Sequence, residues 1–142
     1  MLYLDYERAK ARFYASQKMF ESALLEKERL FTITQPKAIT YDKDTVQTSP
    51  NGDVLDNYVI ALEEEKIEEK LAPIRRLLKD RERLLYIKER ELRESPDRHD
   101  KVYVCRFLEG MSIRGIAKNL NYSKSEIYRT LQSIKKHINK DF

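Results

Sequence analysis

The sequence predicts an all-α fold, with long, charged, coiled-coil-like helices in front and a compact three-helix unit behind. Three observations support this. Charged residues make up 37% of the 142 positions, whereas there are only three glycines and four prolines. That composition favours long helices with thin apolar stripes and disfavours turn-rich sandwiches and barrels. Apolar residues recur at steps of three and four over long stretches, the spacing that keeps side chains on one helix face. Ser/Thr caps and a well-placed glycine and asparagine punctuate the last third.

Residues 3–31 read as one helix. Tyr6, Ala9, Phe13, Ser16, Phe20, Leu24, Lys27 and Phe31 form an aromatic stripe interrupted by Ser16 and Lys27. Such a helix needs a packing partner, because isolated helices are marginal in water. Pro36 disfavours helix before it, and Ser49-Pro50-Asn51-Gly52 is a turn signal, so 32–53 reads as an irregular linker. Within it Ala38 to Thr48 fits a short hairpin or an extended strap. Residues 54–94 read as a second long helix. Ile67, Leu71, Ile74, Leu78, Arg81, Leu85, Lys88 and Leu92 follow a seven-residue repeat, which fits either a hairpin with the first helix or a dimer seam. Pro73 predicts a kink or a break, opening a second segment. The front region, 1–94, is thus expected to be a helical hairpin or an oligomerisation region. Residues 95–142 are expected to form a separate domain.

Ser95 is expected to cap the next helix, with Pro96 at its first position. Val102, Val104, Cys105, Phe107 and Leu108 make that helix apolar, and Gly110 closes it. Ser112 then caps a helix reaching Leu120, with Ile113, Ile116, Ala117 and Leu120 as its buried stripe. Asn121 occupies the turn, where a left-handed backbone is common and asparagine tolerates it. Ser123-Lys124-Ser125-Glu126 reads as a capping box. Ile127, Leu131, Ile134 and Ile138 point the last helix at the core.

The charge is unevenly distributed. Lys101 to Phe142 carries nine Lys/Arg against three Asp/Glu, a local +6 in a chain of net +4. A basic module of this kind suits a polyanion. The face left outward on the last helix holds Lys124, Ser125, Tyr128, Arg129, Gln132, Lys135 and Lys136, all long, polar or cationic. Two helices joined by a tight turn with such a face form a helix-turn-helix, whose second helix reads the major groove with its N-terminal residues. Arg129 suits guanine and Gln132 suits adenine. Tyr128 suits phosphate or a thymine methyl. Ser123 and Ser125 suit phosphate at the helix N-terminus, and Lys135 and Lys136 suit the backbone. Ser112, Arg114 and Lys118 on the preceding helix complete the expected DNA-binding set. Glu126, the discordant acid, is assigned to the cap.

Other classes find little footing. The longest apolar run, Tyr58 to Leu62, is too short to span a bilayer. The start lacks the pattern of a secretory signal, so a cytoplasmic protein without a membrane partner is expected. Cys105 is the lone cysteine and reads as a small buried hydrophobe. His99 and His137 share no metal-ligand spacing and read as solvated surface groups. No metal or cofactor is expected. Without a glycine-rich phosphate loop or a nucleophile motif, no enzymatic activity is expected.

The run Phe107-Leu108-Glu109-Gly110-Met111-Ser112-Ile113-Arg114-Gly115-Ile116-Ala117, followed by Ser123-Lys124-Ser125-Glu126-Ile127-Tyr128, resembles the region 4 helix-turn-helix of sigma factors. The wider layout resembles the ArpU/RinA-type late transcriptional regulators of phages and mobile elements, and Ala38 to Asp42 and Val46 to Ser49 look similar to theirs. The resemblance implies transcription control by a phage or mobile element, with DNA contact at Ser123, Lys124, Ser125, Tyr128 and Arg129. No stretch resembles sigma region 2, so a complete sigma factor is not expected. The expected partners are double-stranded DNA, RNA polymerase and a second copy of the chain in a homodimer. Two alternatives accompany this reading. One is a terminase small subunit-like protein that recognises packaging sites. The other is an interaction module that docks RNA polymerase or a repressor.

Overall fold

A computed structural model describes the backbone of residues 1–34 and 50–142, and the side chains of 1–30, 59 and 61–142. The described residues are all-helical and contain no strand: α1 (Leu2–Thr34), α2 (Pro50–Glu94), α3 (Arg98–Tyr103) continued by a π-turn (Val104–Leu108), α4 (Ile113–Leu120) and α5 (Lys124–Asp141). None of these helices is long and apolar enough to cross a membrane. The expected linker at 32–53 lies mostly outside the described residues. Its ends, 32–34 and 50–53, are helical.

The chain forms two compact units, one of Met1–Tyr14 with Asp80–Phe142 and one of Ala15–Lys79. This division differs from one drawn at residue 94, because the first turns of α1 and the last turns of α2 share a core with the C-terminal helices. That core joins Tyr3, Tyr6 and Leu92 to Val102, Tyr103, Cys105, Ile116, Ile127, Leu131 and Ile134. Tyr103 stacks on Tyr3 with ring centroids 5.4 Å apart and donates its hydroxyl to Glu7. Burial, then the Glu7 contact, pushes its phenol well above the ordinary range.

In the first unit α1 and α2 run antiparallel: the Arg81 guanidinium donates to the Arg12 carbonyl at 2.9 Å, while Glu89 lies close enough to Tyr6 to raise its phenol, second to burial. In the second unit Lys27 pairs with Glu68, and the Arg75 guanidinium sits 5.9 Å over the Phe20 ring. These contacts again run antiparallel. Of the seven-residue repeat, Leu71 and Leu92 are buried and the other members are half-buried. Leu71 and Leu92 therefore pack within the chain, while the other members keep part of their surface open. Pro73 neither breaks nor restarts the helix, which is continuous through it. Pro73 and Glu69, whose carbonyl loses its partner, both lie on the exposed side of α2, where water replaces the missing bond.

The start of α3 also differs from expectation. Asp97, not Ser95, is the N-cap, with an extended backbone (φ −67°, ψ 138°). Ser95 is buried, and its hydroxyl donates to Asp100 Oδ2 at 2.7 Å. Asp100 in turn accepts from the Leu2 and Tyr3 backbone N–H groups at 3.4 and 3.0 Å. The first turn of α1 is thus capped by a carboxylate 97 residues away, and that demand draws Ser95 inward. At the other end Gly110 has φ 67°, as its closing role requires. The Met111 N–H bonds back to the Cys105 carbonyl at 2.8 Å. Cys105 is buried as expected, and burial pushes its thiol up.

The expected caps of the last two helices are present. The Ser112 hydroxyl accepts from the Gly115 N–H at 3.2 Å, and Asn121 is left-handed (φ 56°, ψ 40°). A β-branched residue fits that conformation poorly. Asn121→Val should lower unfolding free energy by about 1–2 kcal/mol, whereas Asn121→Gly should leave it nearly unchanged. Urea titration checks the pair, and equal midpoints would disprove the backbone argument.

Candidate nucleic-acid interface

α5 has two sides because its apolar residues recur at 127, 131, 134 and 138. Ile127, Leu131 and Ile134 are buried, and Ile138 packs beside them. Thr130 is also buried and returns its hydroxyl to the Glu126 carbonyl at 2.8 Å, so it leaves no polar group unsatisfied. The opposite side carries Lys124, Ser125, Tyr128, Arg129, Gln132, Lys135 and Lys136, and every one is exposed.

The N-terminus of α5 is fixed by its capping box. Ser123 Oγ accepts from the Glu126 N–H at 3.3 Å, and Glu126 Oε2 accepts from the Ser123 N–H at 2.9 Å. The Ser123 backbone and hydroxyl bonds hold the Glu126 carboxyl below the usual carboxylate range, with Arg98 and Arg129 adding to the effect. The one acid among the cations is therefore committed to the cap. Its charge is spent on the first turn, where it complements the helix dipole.

α4 adds to the same surface. Ser112, Arg114 and Lys118 are exposed and, with Tyr122 and Lys124, line an open groove between α4 and the start of α5. The arrangement gathers Ser112, Arg114, Lys118 and Lys124 around one concavity. Lys135 and Lys136 lie apart, about 10 Å beyond Arg129 along the helix at 1.5 Å per residue.

The far end of α5 is tied down. His137 Nδ1 meets the Tyr3 hydroxyl at 2.8 Å, and Asp141 pairs with Arg8 at 3.2 Å. His137 is therefore not the solvated group its isolation in the sequence suggests. It joins α5 to α1, while His99 stays half-exposed beside Asp97. Both anchors lie beyond the cationic face and leave it open.

Arg98, at the start of α3, is a residue that sequence reasoning missed. Its guanidinium lies 4.5 Å over the Tyr122 ring, and its Nε is buried without a hydrogen-bond partner. The cation–π contact holds a further positive charge beside the α5 N-terminus. Helical periodicity relates residues only within one helix, so no local pattern connects position 98 to position 122.

No protein-family model matches the chain, and comparison with curated proteins and with solved structures returns no similar protein.

Proposed function

We propose that the protein is a sequence-specific DNA-binding regulator of transcription whose helix-turn-helix is α4, the Asn121 turn and α5. The observation that carries this reading is the exposed side of α5, which is polar and cationic while its opposite side is committed to the core. A helix in the major groove needs one wall anchored and one wall free. Arg129 and Gln132 are placed to read base edges, and Tyr128 to meet a phosphate or a thymine methyl. The major groove is about 12 Å wide. With Arg129 at the bases, Lys135 and Lys136 fall at the flanking backbone, where they add affinity without reading sequence. Ser112, Arg114, Lys118 and Lys124 line the groove that would receive a phosphate beside the two helix N-termini. The resemblance of residues 107–128 to sigma region 4 adds a context: control of phage or mobile-element genes, with RNA polymerase as a neighbour on the promoter.

Selection of bound fragments from random duplex DNA tests the reading, followed by affinity measured against salt for the selected site. A defined motif is expected. The logarithm of affinity should fall with the logarithm of salt by about 0.9 per phosphate neutralised, giving a slope near −4 for four or five contacts. Absence of any enriched sequence, together with an affinity indifferent to salt, would remove DNA as the ligand.

A further inference from the structure

We propose that the helical pair of the Ala15–Lys79 unit associates with the same pair of a second copy, α2 against α2 in antiparallel register, with Glu63 of each copy opposite Lys70 of the other. This does not depend on DNA binding.

The described residues of this unit leave much of their apolar seam uncovered. Among its described residues only Leu71 and Ser16 are buried. Among the described residues the two helices form a single layer, which does not exclude water from both sides of its apolar seam. One side of the seam is a groove floored by Ala23 and Leu30 of α1 and by Ile67, Leu71 and Ile74 of α2. Leu71 turns inward to α1. Ile67 and Ile74 are only half-buried, and Val59, one and two turns before Glu63 and Lys66, is exposed. At 100° per residue, Val59, Glu63, Lys66, Ile67, Lys70 and Ile74 share one arc of α2. The arc is therefore apolar at its ends, with Glu63, Lys66 and Lys70 grouped around Ile67 between them.

Charge selects the occupant and its direction. Parallel pairing would set Glu63 against Glu63 and Lys70 against Lys70, which is unfavourable. A two-fold axis between Lys66 and Ile67 instead sets Glu63 opposite Lys70 at both symmetric positions and Val59 opposite Ile74. Such a surface is self-complementary, as a two-fold interface requires. Ala23, the small residue of the groove, lets the second layer approach closely.

Sedimentation equilibrium on the full chain tests this, with Glu63→Lys, Lys70→Glu and the double exchange. Wild type should be dimeric at micromolar concentration. Each single variant should weaken the dimer roughly tenfold, because each creates two like-charge pairs, and the double exchange should recover wild-type association. Helicity by circular dichroism should be the same in all four proteins, which separates lost association from lost folding. A monomeric wild type at about 100 µM, or a double exchange as weak as the single variants, would overturn the proposal. So would single variants that associate as wild type does.

Discussion

Arg129→Ala should weaken binding to the selected DNA site by roughly 1–3 kcal/mol and relax the preference at one base position. The effect should be large because Arg129 stands on the exposed side of α5 a turn and a half from its capped start. The capping box and the buried Ile127 and Ile134 hold the backbone that carries it, so truncation removes a contact without loosening the helix. Lys135→Ala provides the contrast. A lysine at the backbone carries no sequence information, so its loss should weaken all duplexes about equally and lower the salt slope by about one. The two variants together locate the reading face. If Arg129→Ala lost affinity uniformly across sequences while Lys135→Ala altered the preferred motif, α5 would lie in the opposite orientation. If neither changed affinity, this face would not be the one that meets DNA.

What the sequence disclosed follows the range of the interactions involved. The α4 cap at Ser112, the left-handed Asn121 and the Ser123–Glu126 box each depend on residues within four positions, and all were legible. So was the two-sidedness of α5, because burial at 127, 131 and 134 leaves the remaining positions facing outward. The errors arise where a distant group intervenes. Ser95 looks like a cap in its local context, yet its hydroxyl goes to the buried Asp100, which in turn caps the start of α1, 97 residues away. His137 looks solvated until Tyr3, 134 residues earlier, meets its ring. Arg98 carries no sign in the sequence that Tyr122 will lie beneath it. Pro73 shows the opposite case: a strong local breaker was tolerated because it fell on an exposed side. The seven-residue repeat of α2 was legible as a stripe. Its partner was not, since the same stripe suits a helix of the same chain or of another.

The other large effect concerns stability. Asp100→Ala should lower the free energy of unfolding by about 3 kcal/mol, combining a lost helix cap with polar groups left unpaired in the interior. Asp100 is buried and accepts three hydrogen bonds, from the Leu2 and Tyr3 N–H groups and from the Ser95 hydroxyl. Without it the first turn of α1 has neither its acceptor nor the negative charge that complements the helix dipole. Ser95→Ala removes two hydrogen bonds, the one donated to Asp100 and the longer one accepted from the Asp97 N–H, and should cost about 1–2 kcal/mol. The loss of Asp100 should also spread in a defined direction. Tyr3 stacks on Tyr103 and touches His137, so the amides of the first α1 turns and of the last turns of α5 should lose hydrogen-exchange protection. Those around the Ser123–Glu126 cap, which is closed locally, should keep theirs. Urea titration gives the magnitude, and hydrogen exchange gives the pattern. An Asp100→Ala protein within 0.5 kcal/mol of wild type would mean that α1 is held to the C-terminal helices by apolar packing alone. The carboxylate would then be incidental to the junction.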